Sequence, residues 1–489
     1  MTGTTTLDED SHPWETRPAT APEVLHLGIA WSLDEPERIG ETAAIAGPTV
    51  LGRGEPEHRA AVAHFVRWRP QASTSTPPLA GSRISRTQLR LRPLPNGWLA
   101  VENVGRCKLL VNGEETSAAE LGPGDTLTLR NALVLVVVRR SPSAGGFGGD
   151  APQAPAFAFG GPDRHGIVGE SAAAWRLRAE LAFAAGTDHH VLLRGASGVG
   201  KELAARALHA MSSRAGRPLV ARNAATLPEG LVDAELFGTA RNYPNVGSPE
   251  RTGLIGEADR GFLFLDEIGE LSPTIQAHLL RVLDRGGEYQ RLGESRPYRS
   301  DVRLIAATNR GLDALKHDFA ARFTSRIELP GLEARREDIP LLLRAVLRRA
   351  AAQNPAVAQR FFMPAGPDGE AQPRVDPWLV EGLVRHHFTH HTRELERIAW
   401  RAIATSTGDF VGLTTEVRAE LRTTAPTQVA ATDTRPVAVS PDALQRDDIL
   451  AALADASGRA VVAAERLGLR NRFVLYRLMK KHAIQLTEE

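Results

Sequence analysis

The run from His190 to Met211, HVLLRGASGVGKELAARALHAM, decides the fold of the centre of this chain. An apolar strand-like segment, HVLLR, leads into Gly195-Ala196-Ser197-Gly198-Val199-Gly200-Lys201, and the helix formers ELAARALHAM follow. Strand, glycine loop, lysine and helix in that order are the context of a phosphate-binding P-loop. The glycines let backbone N–H groups wrap phosphate oxygens, the helix N-terminus adds its positive end, and Lys201 reaches the terminal phosphates. The generic motif closes on Ser or Thr as a magnesium ligand, whereas this chain has Glu202. A plain glycine turn is the alternative. The full order favours nucleotide binding, with ATP and Mg²⁺ as the expected cofactors.

Downstream, Gly261 to Glu270 reads GFLFLDEIGE, an apolar run ending in Asp266-Glu267. A buried strand ending in acids presents them at the edge where open α/β sheets bind ligands. Asp266 is the expected Mg²⁺ ligand, and Glu267 the group that orients or deprotonates an attacking water. An exposed helix cap is the alternative for such a pair in isolation. A third run, VRLIAATN, ends in Asn309, a candidate γ-phosphate sensor. Short strands alternating with helical stretches predict a mainly parallel sheet with helices on both faces.

The flanks differ in texture. From about 45 to 140 the sequence reads as short strands separated by turn signals, among them Pro95-Asn96-Gly97 and Asn112-Gly113, which predicts a β-sandwich. Ser141 to Pro162 and Thr423 to Pro441 are rich in breakers and read as linkers. The segment from Asp442 onward reads as helical. The 489 residues suit about three domains, and 59 basic against 58 acidic residues confine any nucleic-acid surface to a local patch. A single cysteine, Cys107, excludes an intrachain disulfide and suits a reducing compartment. The polar N-terminus lacks a signal-peptide core, and the longest apolar run, Ala132 to Val138, is strand-sized. A cytoplasmic protein is expected.

With these motifs in hand, the centre resembles the AAA+ domain of sigma-54-dependent transcriptional activators. The resemblance runs from about Gly166 to Thr407 through IVGES, GASGVGKE, NAATLPEGLVDAELFG, GFLFLDEIGELSPTIQAHLLRVLDRG, RLIAATNR and RREDIPLLL. That family also carries Glu after the P-loop lysine. The resemblance implies that Asn223 couples the catalytic Glu267 to a working loop, and that Arg393 in HTRELERI is the lid arginine. It implies arginine fingers reaching a neighbouring subunit's nucleotide, hence a hexameric ring. At the two finger positions this chain has Lys316 and Arg322, with Arg326 a weaker candidate. Lysine supplies only the point charge of a finger, so weak ATPase activity is expected. His386, His387, His390 and His391 invite a metal reading, but no acid or Cys stands at ligand spacing, and a solvated helix end is favoured.

The GAFTGA element by which the family pushes on sigma-54 is missing. Gly238 to Gly253 keeps its spacing, but the six residues are Asn242-Tyr243-Pro244-Asn245-Val246-Gly247. Tyr243 is the nearest aromatic substitute. Pro244 fixes a backbone that the family leaves free.

The N-terminal strands resemble a forkhead-associated (FHA) domain, on Gly52-Arg53, Ser85-Arg86-Thr87-Gln88 and Asn112-Gly113. The resemblance implies that Arg53, Ser85 and Arg86 hold a phosphothreonine, although Gln88 replaces the family histidine; a sandwich that has lost peptide binding is an equal alternative. The C-terminal segment resembles a Fis-type helix-turn-helix. It implies DNA contacts from Arg470, Asn471, Arg472, Arg477, Lys480 and Lys481, with a small bundle bearing a basic face as the alternative.

The expected organisation is therefore multidomain. A 1–44 extension precedes an FHA-like β-sandwich over 45–140 and a linker over 141–162. An α/β AAA+ P-loop core covers 163–345 and a helical lid 346–422. A linker over 423–441 and an all-α helix-turn-helix over 442–489 complete the chain. Two functions stay open: an ATP-driven remodeller of sigma-54 RNA polymerase, or a nucleotide-gated DNA-binding regulator or repressor that leaves sigma-54 alone. The expected partners are DNA, sigma-54 polymerase, a phosphothreonine protein and further copies of the chain, with no membrane.

Overall fold

The computed structural model describes residues 23–54, 61–70, 72–140, 157–228, 230–284, 286–364 and 371–423, together with Arg446 and Met479. The chain divides into two compact units, Met1–Thr424 and Ala425–Glu489. The six DNA-binding candidates of the second unit lie outside the described residues.

The N-terminal β region has two sheets. The larger runs in the spatial order Thr74–Ser75, Val66–Arg67, Thr42–Ile45, Val24–Ser32, Leu133–Arg140, Thr126–Leu129, Leu109–Val111, Glu114–Thr116. The smaller runs Ala118–Leu121, Leu99–Asn103, Leu89–Pro93, Thr49–Leu51. Alternation explains how they pack. In Leu89–Pro93 both leucines are buried and the intervening arginines exposed, and Leu89, Leu91, Leu99 and Val101 join Leu27, Ile29, Leu135 and Val137 in one core. Val24–Ser32 pairs antiparallel with Leu133–Arg140, from Val24↔Arg140 to Ser32↔Leu133. Residues 24–44 therefore belong to this domain, which corrects the extension expected over 1–44.

The run Ala132 to Val138 has no alternation because both its faces are covered. Leu133, Leu135 and Val137 face the sandwich core. Val134 and Val136 instead share a core with Leu343, Leu379, Leu383 and Ile398, all contributed by lid helices.

The central sheet is parallel, in the order Leu219–Asn223, Phe262–Asp266, Arg303–Thr308, Val191–Arg194, Ser325–Glu328. Alternate residues feed two cores. Leu192, Leu263, Leu265, Leu304 and Ala306 pack on the helix Pro273–Leu283 and the helix His317–Ala321. Val191, Leu193, Phe262, Phe264 and Ile305 pack on Ala172–Ala185 and Lys201–Met211.

The lid comprises Ile339–Gln353, Pro355–Phe361, Pro377–Arg385, His391–Thr405 and Thr415–Thr423. Two of these begin with proline after a side-chain cap: Asn354 accepts from Ala356 N at 3.0 Å, and Asp376 from Trp378 N at 2.9 Å. The expected core–lid boundary at 345/346 falls inside the continuous helix Ile339–Gln353, so the lid starts at Ile339. No described helix is long and apolar enough to cross a membrane.

Candidate nucleotide site

The loop after Val191–Arg194 turns on Gly195, Gly198 and Gly200, whose φ angles of 152°, 83° and 103° an L side chain rarely adopts. A Cβ at Gly198 would collide with the carbonyl of His390, so the loop lies directly against the start of the lid helix His391–Thr405. Lys201 opens the next helix and is 7% exposed. Its ammonium donates to the carbonyls of Gly195 at 3.0 Å and Ala196 at 3.4 Å and lies 3.8 Å from Glu267 Oε1. Glu202 points to the exposed side of that helix and pairs with Arg206 at 2.6 Å.

Asn223 and Asp266 stand side by side at the ends of paired parallel strands. Asp266 Oδ1 accepts from Glu267 N at 3.0 Å, and Glu267 adopts a left-handed φ of 52°. Such a backbone is uncommon for a residue with a side chain and clusters at functional sites. Asn223 Oδ1 accepts from Ala225 N at 2.9 Å, capping the turn that follows.

The lid completes the cleft. Arg393 Nη1 donates to Ser197 Oγ at 3.3 Å, and Thr392 ties its backbone N to Gly198 O at 3.1 Å while its hydroxyl bonds the same carbonyl. Glu394 anchors this turn. It accepts from Thr389 N at 2.8 Å and His390 N at 2.9 Å and lies 3.0 Å from His386 Nε2. Burial opposes its ionisation, but the bonds from His390, His386 and Thr389 prevail and hold its pKa at about 2. Among the described residues no histidine group forms a metal-ligand cluster; His386 serves Glu394, and His391 lies 3.3 Å from Glu333.

The residues from Ser197 to Glu202 line one cleft together with Asn223, Asp266, Glu267 and Arg393. Asn309 is exposed at the same sheet edge and does not line it. Sequence reasoning missed Thr392 and Arg335. Arg335 sits in the RREDIP motif, is 5% exposed, lines the cleft, and has no hydrogen-bond partner at Nε. Burial lowers its pKa, with Asp338 opposing. A buried guanidinium without a full set of acceptors suits an anionic ligand.

The finger candidates lie elsewhere. Arg322 pairs with Asp284 at 2.9 Å. Lys316 is exposed at a helix N-cap, and Arg326 is committed to the carbonyls of Phe323 and Ala320 at 3.3 and 2.9 Å. Arg326 thereby braces the end of the helix His317–Ala321.

The loop from Gly238 to Gly253 is pinched at its base, where a Cβ on either glycine would strike the opposite strand. Thr239 bridges Arg251 and Leu292, and Asn242 receives Gly247 N at 2.9 Å. Tyr243 lies over Gly293, while Val246 is 96% exposed. The aromatic thus packs down on the neighbouring hairpin, and valine occupies the tip.

In the β region, Arg53 N donates to Ser85 O at 3.0 Å, and Arg106 N to Ser85 Oγ at 3.0 Å. Gly52 abuts the Arg86 carbonyl too closely for any side chain. Gln88, fully buried, braces this corner by accepting from Ser85 N at 3.0 Å and donating to Asn103 Oδ1 at 2.7 Å and Cys107 O at 2.9 Å.

A P-loop, an acid-tipped strand and an arginine-bearing lid around one cleft define an α/β core of the AAA+ type. Residues 167–329 match the family model of the Sigma-54 interaction domain. The transcriptional regulatory protein ZraR of Salmonella typhimurium is 36% identical over 342 residues, covering 68% of this chain and 71% of that protein. The Nif-specific regulatory protein of Bradyrhizobium diazoefficiens is 39% identical over 254 residues, covering 50% of this chain and 41% of its own. NtrX from Brucella abortus, solved in complex with ATP, is 29% identical over 65% of this chain and 70% of that one, with a TM-score of 0.45. The chain belongs to the sigma-54 interaction family of transcriptional regulators.

Proposed function

We propose that the protein is an ATP-binding transcriptional regulator of this family that hydrolyses ATP weakly in a cytoplasmic hexameric ring and binds DNA through its C-terminal helix-turn-helix. The observation that carries the reading is the convergence of Lys201, Glu267 and Arg393 on one glycine loop, with Lys201 Nζ 3.8 Å from Glu267 and Arg393 3.3 Å from Ser197. The cleft fits a nucleoside triphosphate, because its loop is built of left-handed glycines and the buried Arg335 Nε lacks an acceptor. Bound ATP supplies the phosphoryl group and Mg²⁺ its charge neutralisation. With these bound, Lys201 and Arg393 would hold phosphate oxygens, Asp266 would supply a carboxylate oxygen for the metal, and Glu267 would orient or deprotonate the attacking water.

Tyr243, packed on Gly293, leaves Val246 at the tip of the loop. That favours the second reading, a nucleotide-gated DNA-binding regulator that does not remodel sigma-54. With purified sigma-54 polymerase, the protein and hydrolysable ATP should yield no open complex at a sigma-54 promoter. Robust ATP-dependent activation in that transcription assay would overturn this reading.

The meeting of Arg53, Ser85 and Arg86 at one corner supports an FHA-type phosphothreonine site. A peptide library should be enriched for phosphothreonine over threonine, and Arg86→Ala should remove the preference. Equal binding of both peptides by the unmutated protein would leave a purely structural sandwich.

A further inference from the structure

The sandwich does more than sit beside the ATPase. Arg69, between the strands Val66–Arg67 and Thr74–Ser75, reaches across to Glu170 of the IVGES motif with Nε–Oε2 at 3.2 Å and Nη2–Oε1 at 2.7 Å. Glu170 is 1% exposed and also accepts from Gly160 N at 2.8 Å and Trp175 Nε1 at 3.1 Å. The same guanidinium donates to Phe157 O at 3.0 Å and Ala158 O at 3.1 Å and lies 4.4 Å from the Phe157 ring centroid. Arg69 therefore pins the segment 157–161 and the motif Ile167–Ser171 to each other. Both line the nucleotide cleft, through Gly160, Gly161, Ile167 and Val168. The last three residues of the linker expected over 141–162 thus line the site.

A second arginine repeats the arrangement. Arg140, 4% exposed at the end of the strand Leu133–Arg140, pairs with Glu337 at 3.0 Å and donates to Glu170 O at 3.4 Å. Next to Glu337, Asp338 accepts from Glu170 N at 2.8 Å, Ser171 N at 2.9 Å and Ser171 Oγ at 2.5 Å. Three residues before Asp338 stands Arg335, the buried cation in the cleft. All of these groups are charged or charge-assisted and withdrawn from water, the setting in which geometry is tightly held and loss of one partner is costly.

We infer that the N-terminal sandwich braces one wall of the nucleotide site, the wall formed by residues 160–162 and 166–168, and that Arg69, with Arg140 in support, is a positioning residue for ATP. The inference rests on the ATP-binding reading above. Arg69 touches neither the P-loop nor Glu267, so its loss loosens the wall opposite the phosphates and leaves the hydrolytic groups in place. The effect falls on affinity: Kd and KM rise together while kcat at saturating ATP holds.

The test uses the full-length protein and a fluorescent ATP analogue. Arg69→Ala should raise Kd about tenfold, within the usual range of coupling between sites, and KM by the same factor. Arg69→Lys should give an intermediate value, because lysine keeps the charge but loses the bidentate fork. Circular dichroism identifies the folded variants, and if the alanine variant does not fold, the lysine variant decides. A folded variant with wild-type Kd and KM, or one whose kcat falls at unchanged KM, overturns the inference. Failure of the unmutated protein to bind the analogue refutes the ATP-binding reading instead.

Discussion

Lys201→Ala should abolish measurable ATP binding. The ammonium is held by two P-loop carbonyls at 3.0 and 3.4 Å and stands 3.8 Å from Glu267. It is thus fixed between the glycine loop and the carboxylate proposed to handle water. Alanine removes the one loop cation and leaves Glu267 to repel the triphosphate. Charge-assisted hydrogen bonds contribute about 1.5–3 kcal/mol each. Losing two of them raises Kd by roughly 10²- to 10⁴-fold, beyond the reach of ordinary calorimetry. The protein itself should remain folded, because the two residues whose carbonyls Lys201 releases, Gly195 and Ala196, are half-buried and exposed respectively. Isothermal titration of both proteins at matched concentration is the measurement, and unchanged affinity would sink the nucleotide assignment.

The P-loop and the Asp266-Glu267 strand end were legible because local chemistry dictates them: a left-handed turn needs glycine, and a buried strand ending in acids has one outlet. The Lys201–Glu267 approach follows from the parallel order of their strands, with Arg303–Thr308 between. What the sequence hid was long-range. VLHLGIAWS reads poorly as a strand, with His26 and Gly28 interrupting it, yet it is central to the larger sheet. Burial lowers the pKa of His26 to about 4, with Arg140 adding to the effect, so it enters the sheet as a neutral ring. Likewise Glu381 looks like a surface helix residue. It is 3% exposed, between Thr126 Oγ1 at 3.2 Å and Thr128 Oγ1 at 3.1 Å, where the lid meets the sandwich. Neither contact has a local signature, because the partners stand more than two hundred residues apart. The unalternating run Ala132 to Val138 was the one available hint that a second layer covers the sandwich.

Arg322→Ala should bind ATP with unchanged affinity yet hydrolyse it about 10³-fold more slowly, the usual scale for loss of an arginine finger. Arg322 follows the helix His317–Ala321 and does not line its own chain's cleft, so any part it takes in hydrolysis must be played at a neighbour's nucleotide. It pairs with Asp284 at 2.9 Å, both side chains being 49% exposed. A surface pair of this kind contributes at most about 1 kcal/mol, so the guanidinium is released at little cost when a better anion is offered. A transferring phosphoryl group is such an anion, and the planar fork matches it bidentately. Lys316, at the other finger position expected from the resemblance, offers a point charge alone, which should keep wild-type turnover low and make Arg322 the larger contributor. Specific activity of the wild type should rise with protein concentration as the subunit edge finds its partner, whereas the variant should stay flat. Mixing inactive Arg322→Ala with inactive Lys201→Ala should restore part of the activity, since some interfaces then pair an intact cleft with an intact finger. Wild-type turnover by Arg322→Ala, or concentration-independent activity in a demonstrated monomer, would place the finger elsewhere.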